Sequence, residues 1–169
     1  GTRMYHDQAL YKEAGGGFTP WHADQFYWPL ATEKCCTVWI PLQKTPFEMG
    51  PMAFAEGSHT FTYGRQFSIS DESEQKIQTA LSDANFSYIQ EPYDLGEVSF
   101  HYGWTFHRAD QNQTDKPREV MTIIYMDIDM RLKKPDNENQ QRDWEGCCPG
   151  AKIGEIIDTP INPALYEQE

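Results

Sequence analysis

The chain has 169 residues, which is enough for one domain with a hydrophobic core. Its formal net charge of −12 argues against non-specific binding to nucleic acid or to anionic membranes, because both attract basic surfaces. No apolar run is long enough to span a bilayer, and no signal peptide is visible at the start. We therefore expect one cytoplasmic domain over residues 1–169, without a membrane or nucleic-acid partner.

The first half of the chain favours short β-strands. Predicted strands lie at residues 3–12, around His22, at 35–42 and at 52–55. A glycine turn at 15–17 precedes the His22 strand, and residues 56–59 read as a turn or loop. This spacing of strands and turns is typical of a β-rich domain.

Residues 70–85 have the pattern of a helix. Ser70 is suited to cap it, and acidic residues follow in the first turn, near the positive end of the helix dipole. Ile77, Ala80, Leu81 and Ala84 share one face at helical spacing. We predict one main surface helix here.

The second half returns to strands and then becomes irregular. Strands are predicted at 98–102 and at 118–127, where Met121, Ile123 and Tyr125 share one face. Residues 131–142 are polar and contain a proline, which indicates a surface loop, and the proline-containing tail at 147–165 is expected to wrap the domain irregularly. Many short strands with one helix predict an antiparallel sandwich or jelly roll.

The four cysteines form two adjacent pairs, Cys35-Cys36 and Cys147-Cys148. Neighbours in a strand point to opposite faces, so the members of the first pair are poor disulfide partners for each other. Neither pair has the CxxC spacing of a zinc site. We interpret them as reduced thiols, with a disulfide between the two pairs as the alternative.

The triplet His22-Ala23-Asp24 carries the clearest chemical signal. On an extended strand, residues two apart point to the same side, so His22 and Asp24 can face one point in space. A second imidazole from His107 would complete two histidines and one carboxylate. That set is the facial triad of non-haem Fe(II) oxygenases, which leaves positions open for a co-substrate and oxygen. Because such triplets also arise by chance, satisfied polar residues are the alternative.

Arg118 follows His107 by eleven positions. A guanidinium is always charged and binds carboxylates in a bidentate fork. An acidic co-substrate that chelates iron at one end needs such an anchor at the other. The alternative is a surface arginine that pairs with Glu119 or Asp115.

These residues lie within a longer set of motifs. They are WHADQ at 21–25, WIPL at 39–42, GPM at 50–52, EGSH at 56–59, GEV at 96–98, HRADQN at 107–112, PR at 117–118, and an ending that runs from CPG at 148–150 to NP at 162–163. In this order they resemble the phytanoyl-CoA dioxygenase family of Fe(II)/2-oxoglutarate-dependent oxygenases, over nearly the whole chain.

The resemblance implies a mainly β fold, a double-stranded β-helix (a cupin-like jelly roll), with iron at its open end. It implies that His22, Asp24 and His107 are the metal ligands and that Arg118 binds the far carboxylate of 2-oxoglutarate. Trp39 matches a family tryptophan near the co-substrate, with core packing as its alternative, and Gln8 is a further candidate for that contact. Ala109 stands where many members carry a serine, so that hydroxyl contact is absent.

The implied activity is oxygenation of a small-molecule substrate with Fe(II), 2-oxoglutarate and O₂, releasing succinate and CO₂. Aromatic residues are expected to line the cavity: Phe26, Tyr27, Trp28, Tyr102 and Trp104. An iron-dependent halogenase is disfavoured because Asp24 is present, where related halogenases carry a small residue. A non-catalytic jelly-roll binding protein or an inactive fragment is the alternative from a different class.

Family members usually carry a segment before the strand at residues 3–12, and we expect this chain to lack it. Formation of a homo-oligomer could then compensate for an uncovered sheet edge.

Overall fold

The computed structural model describes residues 1–167, which form two antiparallel β-sheets and two α-helices. The strands are β1 (Thr2–Lys12), β2 (Thr19–His22), β3 (Cys35–Pro41), β4 (Met52–Ala55), β5 (Tyr88–Gln90), β6 (Ser99–Tyr102), β7 (His107–Ala109), β8 (Arg118–Asp127) and β9 (Ala164–Tyr166). The helices are α1 (Asp71–Asp83) and α2 (Glu138–Cys147).

The strand pairing is that of a jelly roll. One sheet has the order β6-β3-β8-β1-β9 and the other β2-β7-β4-β5. The pairs β1–β8, β2–β7, β3–β6 and β4–β5 are nested like one long hairpin, and β3–β8 and β4–β7 join its rolled layers. The predicted double-stranded β-helix is therefore confirmed, and its two sheets enclose the space between β2, β7 and β8.

Strand β8 shows how the sequence directs residues into that space. Its buried positions alternate, starting at Arg118 and continuing through Val120 and Ile124, while Met121, Ile123 and Tyr125 are only partly buried. The face carrying Arg118 is thus the inner face. Burying an aliphatic side chain stabilises a fold by about 1.5–3 kcal/mol, so the aliphatic neighbours hold this register and with it the arginine.

Helix α1 confirms the predicted helix. The Ser70 hydroxyl accepts a hydrogen bond from the Ser73 backbone N–H, and the Ser73 hydroxyl accepts one from the Ser70 N–H. This reciprocal cap typically contributes about 1 kcal/mol. Ile77 and Leu81 pack against Trp21, so the helix covers β2 close to its histidine.

Two expectations for the C-terminal part of the chain were wrong. The segment predicted as a surface loop at 131–142 contains the start of α2, whose first turn is capped by the Asn137 side chain accepting from the Gln140 N–H at 3.0 Å. Its proline lies before the helix and does not interrupt it. In the tail, β9 pairs with the start of β1 where irregular chain was expected.

A hydrophobic cluster closes one end of the barrel and anchors the C-terminal part of the chain. Its buried members are Tyr5, Trp28, Leu30, Cys35, Ile124, Met126, Met130, Leu132, Cys148 and Ile157. Each of the four cysteines is a free thiol, including the two that share this cluster. Neither α1 nor α2, the α-helices of residues 1–167, has the length and apolar character to cross a membrane.

Candidate active site

Two histidines face each other across neighbouring strands. His22 is the last residue of β2 and pairs in register with His107, the first residue of β7. Ala23 is extended, with φ −126° and ψ 129°, so the next side chain, Asp24, returns to the side of His22. The expectation that Asp24 lies on a strand was wrong, because it begins a single 3₁₀ turn. One extended residue suffices for the predicted geometry.

The three side chains bring their donor atoms together. Asp24 Oδ1 lies 3.6 Å from His22 Nε2 and 3.5 Å from His107 Nε2. The three donor atoms all lie within 4.8 Å of one another. His22 Nδ1 lies 2.7 Å from Pro20 O, and His107 Nδ1 lies 2.9 Å from Thr105 O. Because a carbonyl oxygen only accepts hydrogen bonds, each ring carries its proton on Nδ1. Both Nε2 lone pairs then face the carboxylate, as metal ligation requires.

The charges also suit a divalent metal. Burial, reinforced by His107, lowers the pKa of His22 to about 3. Burial alone would raise the pKa of Asp24, but His107 and His101 outweigh it and hold this pKa well below its usual range. For His107, Asp24 outweighs burial and raises the pKa. The site therefore places an ionised carboxylate beside two imidazoles, and these are the forms in which the groups ligate a metal.

A third buried histidine, which the sequence reasoning did not single out, orients the carboxylate. His101 Nε2 lies 3.3 Å from Asp24 Oδ2, and the Thr37 hydroxyl donates to the same oxygen at 3.4 Å. Because Thr37 of β3 and His101 of β6 both contact Oδ2, the other carboxylate oxygen, Oδ1, is directed towards His22 and His107. The only sequence signal was the alternation of β6, which places His101 on the inner face.

Arg118 lies on the same inner space at the start of β8. It is 5% exposed, donates a hydrogen bond to Gly50 O, and places its guanidinium carbon 5.4 Å from the Trp39 ring centroid. Within residues 1–167 no carboxylate forms an ion pair with it, so the alternative pairing with Glu119 or Asp115 is not observed. Burial lowers its pKa to about 10, which leaves it charged at neutral pH. A buried, unpaired cation favours an anionic ligand.

Lys12 adds a second cationic group that the sequence reasoning missed. It pairs in register with Arg118 across β1 and β8, and its ammonium donates to Asp110 O at 2.8 Å. Burial, with a further contribution from Arg118, lowers its pKa to about 8. The two cations share one end of the β1–β8 ladder.

One cavity of about 510 Å³ joins these groups. It is lined by the triad, His101, Lys12 and Arg118, and by the candidate co-substrate residues Trp39, Gln8 and Ala109. Of the aromatic residues expected to line it, Tyr27 and Trp28 do so; Phe26, Tyr102 and Trp104 do not. The cavity runs along the β1–β8 ladder from Lys12 and Arg118 to His6 and Ile124, about 20 Å at 3.3 Å per residue.

Comparison with known proteins identifies the family of this chain. The family model described as phytanoyl-CoA dioxygenase (PhyH) matches residues 1–120, which include both histidines, the carboxylate and Arg118. The chain belongs to the phytanoyl-CoA dioxygenase family. Its similarity to phytanoyl-CoA dioxygenase domain-containing protein 1 of Bos taurus is 24% identity over 127 residues, covering 73% of this chain and 44% of that protein.

Solved structures show the same fold for this phytanoyl-CoA dioxygenase family member. The epimerase SnoN, in complex with Fe³⁺, alpha-ketoglutarate and nogalamycin RO, is 26% identical with a TM-score of 0.77. The match covers 96% of this chain and 64% of the SnoN chain. The carbocyclase SnoK is 24% identical with a TM-score of 0.75, at 96% and 61% coverage. The chain thus spans less than two thirds of each of these relatives.

Proposed function

We propose that this chain is the core of a non-haem iron, 2-oxoglutarate-dependent dioxygenase that hydroxylates a small molecule. The observation that carries the proposal is one cavity that holds both a two-histidine, one-carboxylate cluster and a buried arginine that has no anionic partner among residues 1–167. Membership of the family and the fold shared with SnoN support the same reading.

The chain's own residues have distinct parts in this proposal. His22 Nε2, His107 Nε2 and Asp24 Oδ1 would hold Fe(II), and His101 and Thr37 would keep the carboxylate turned towards it. Bound Fe(II), with 2-oxoglutarate and O₂, supplies the oxidative chemistry, in which the co-substrate leaves as succinate and CO₂.

The cationic end of the cavity would bind the co-substrate. The Arg118 guanidinium is aligned against Trp39 and can take the far carboxylate of 2-oxoglutarate as a fork, with Lys12 adding a second positive charge. Trp39 and Gln8 line the same space and would contact the co-substrate.

The choice of reaction depends on the substrate. Structural relatives include an epimerase and a carbocyclase, so the same framework supports outcomes other than hydroxylation. Asp24 argues against a halogenase, since it fills the position that halide would need. A cavity of about 510 Å³ falls in the range of small-molecule sites, which favours a small metabolite.

The test is a substrate screen by mass spectrometry with Fe(II), 2-oxoglutarate and O₂, using Asp24→Ala as the matched inactive control. We expect succinate from the wild type only, with a product that has gained one oxygen atom. A product of unchanged mass would indicate epimerisation. A product that has lost two hydrogens would indicate ring closure or desaturation, and a product that contains chloride would indicate a halogenase. Absence of succinate with every compound would favour the non-catalytic reading.

A further inference from the structure

Helix α2 brings a second carboxylate into the cavity, and the proposed chemistry does not use it. Asp143 lines the cavity together with His6 from β1, at the end away from Lys12 and Arg118. The Tyr5 hydroxyl donates to Asp143 Oδ2, and the Cys147 thiol donates to Oδ1 at 3.5 Å. The carboxylate is therefore held in place by its own surroundings.

The polar groups at this end are only partly satisfied by the residues that the structure describes. No lysine or arginine of residues 1–167 forms an ion pair with Asp143. His6 Nε2 is buried and has no hydrogen-bond partner among the described residues. Burial raises the pKa of Asp143 because it disfavours the ionised carboxylate, and a cation placed beside the carboxylate would offset that cost.

Aromatic rings surround these groups. Tyr27 and Trp28 line the cavity, and Trp28 meets Tyr5 and His6 edge-on, with ring centroids 5.8 Å and 6.1 Å apart. A carboxylate among aromatic faces is the environment that recognises an ammonium group, through a charge-assisted hydrogen bond and cation–π attraction. The opposite end of the cavity is cationic, so the cavity is polarised along its length.

We propose that Asp143, oriented by Tyr5, is the substrate-recognition residue of this cavity and that it binds a cationic amine on an otherwise apolar small molecule. The polarised cavity then orients its two ligands: the 2-oxoglutarate dianion lies towards Arg118 and the amine towards Asp143. This inference rests on the proposed function, since it names the substrate class of the same cavity.

A metal ion on this cluster is the competing interpretation, because His6, Asp143 and Cys147 place ligand atoms within 4.8 Å of one another. Two observations favour the amine. Burial, with Asp143 adding to it, raises the pKa of Cys147 to about 12, which keeps the thiol protonated. Each Asp143 oxygen accepts one hydrogen bond and keeps a second lone pair for an ammonium group, whereas a metal bound through Cys147 would have to displace the thiol proton directed at Oδ1.

The experiment is anaerobic calorimetry on the protein loaded with Fe(II) and 2-oxoglutarate. The probes are amines paired with their alcohol isosteres: benzylamine with benzyl alcohol, phenethylamine with phenethyl alcohol, and tryptamine with tryptophol. A hydrogen bond to a charged group is worth about 1.5–3 kcal/mol, so at least one amine should bind about 10- to 100-fold more tightly than its alcohol. Asp143→Asn should remove this preference and Asp143→Glu should retain part of it.

The controls separate the possible failures. Glu145→Gln, on the exposed side of α2, should keep the wild-type preference, and 2-oxoglutarate affinity should be unchanged in every α2 variant. If the wild type binds 2-oxoglutarate but prefers no amine, or if Asp143→Asn keeps the preference, this inference is rejected and the proposed function stands. If the wild type does not bind 2-oxoglutarate, the proposed function fails. A second equivalent of Zn²⁺ that is lost in both Asp143→Asn and Cys147→Ser would overturn the inference in favour of a metal site.

Discussion

Replacing Arg118 by alanine should weaken 2-oxoglutarate binding strongly and leave metal binding nearly unchanged. The guanidinium is buried, packs on Trp39 and has no carboxylate partner in the described part of the chain, so its expected partner is the ligand. Removing one partner of a buried charge pair costs about 2–5 kcal/mol, because the other charge is left unpaired. At about 1.4 kcal/mol per tenfold, the lower limit corresponds to roughly 30-fold.

The magnitude should lie near that lower limit, because Lys12 is adjacent and retains part of the attraction for a dianion. Arg118→Lys should recover only part of the affinity, since a point charge cannot reproduce the planar fork. The assay is calorimetric titration of 2-oxoglutarate into the metal-loaded variants. Arg108→Ala is a matched control, because Arg108 pairs with Glu74 and does not line the cavity.

An affinity of Arg118→Ala equal to that of the wild type would remove this residue from the site. Equal losses of metal and 2-oxoglutarate affinity would instead indicate damage to the fold, since the guanidinium also donates to Gly50 O. Thermal unfolding of the metal-free variant distinguishes that case.

Three further predictions concern the metal site and the positive charge of Lys12. His22→Ala or His107→Ala should abolish stoichiometric Fe(II) binding and the rise in melting temperature that the metal produces, and unchanged affinity in both variants would reject the metal site. His101→Phe should weaken Fe(II) binding by about 10- to 100-fold, as is typical for partners that orient a ligand, and a metal titration showing wild-type affinity would contradict this. Burial lowers the pKa of Lys12 to about 8 in the free protein, and a bound dianion would raise this pKa. The affinity for 2-oxoglutarate should therefore be full below pH 8 and should fall as the pH rises through 8. Lys12→Met should bind more weakly and lose this pH dependence, and a wild-type affinity that stays constant from pH 7 to about 9.5 would contradict the assignment.

The sequence by itself determined those elements, and those candidate site residues, whose pattern lies within a few neighbouring positions. The alternation in β8 and the cap and apolar face of α1 were readable because strand and helix periods are recorded in neighbouring residues. His22 and Asp24 were readable for the same reason, since one extended residue places both on one side.

Only the tertiary structure decided which distant groups meet. Helix α2 has a single buried residue, Gln140, so its position follows from capping and from packing against the barrel rather than from an apolar stripe. His101 reaches Asp24, and Lys12 stands beside Arg118, because strand register brings distant parts of the chain to the same level. Register is determined by the sum of many pairings and buried contacts between strands, and no short stretch of sequence contains that sum.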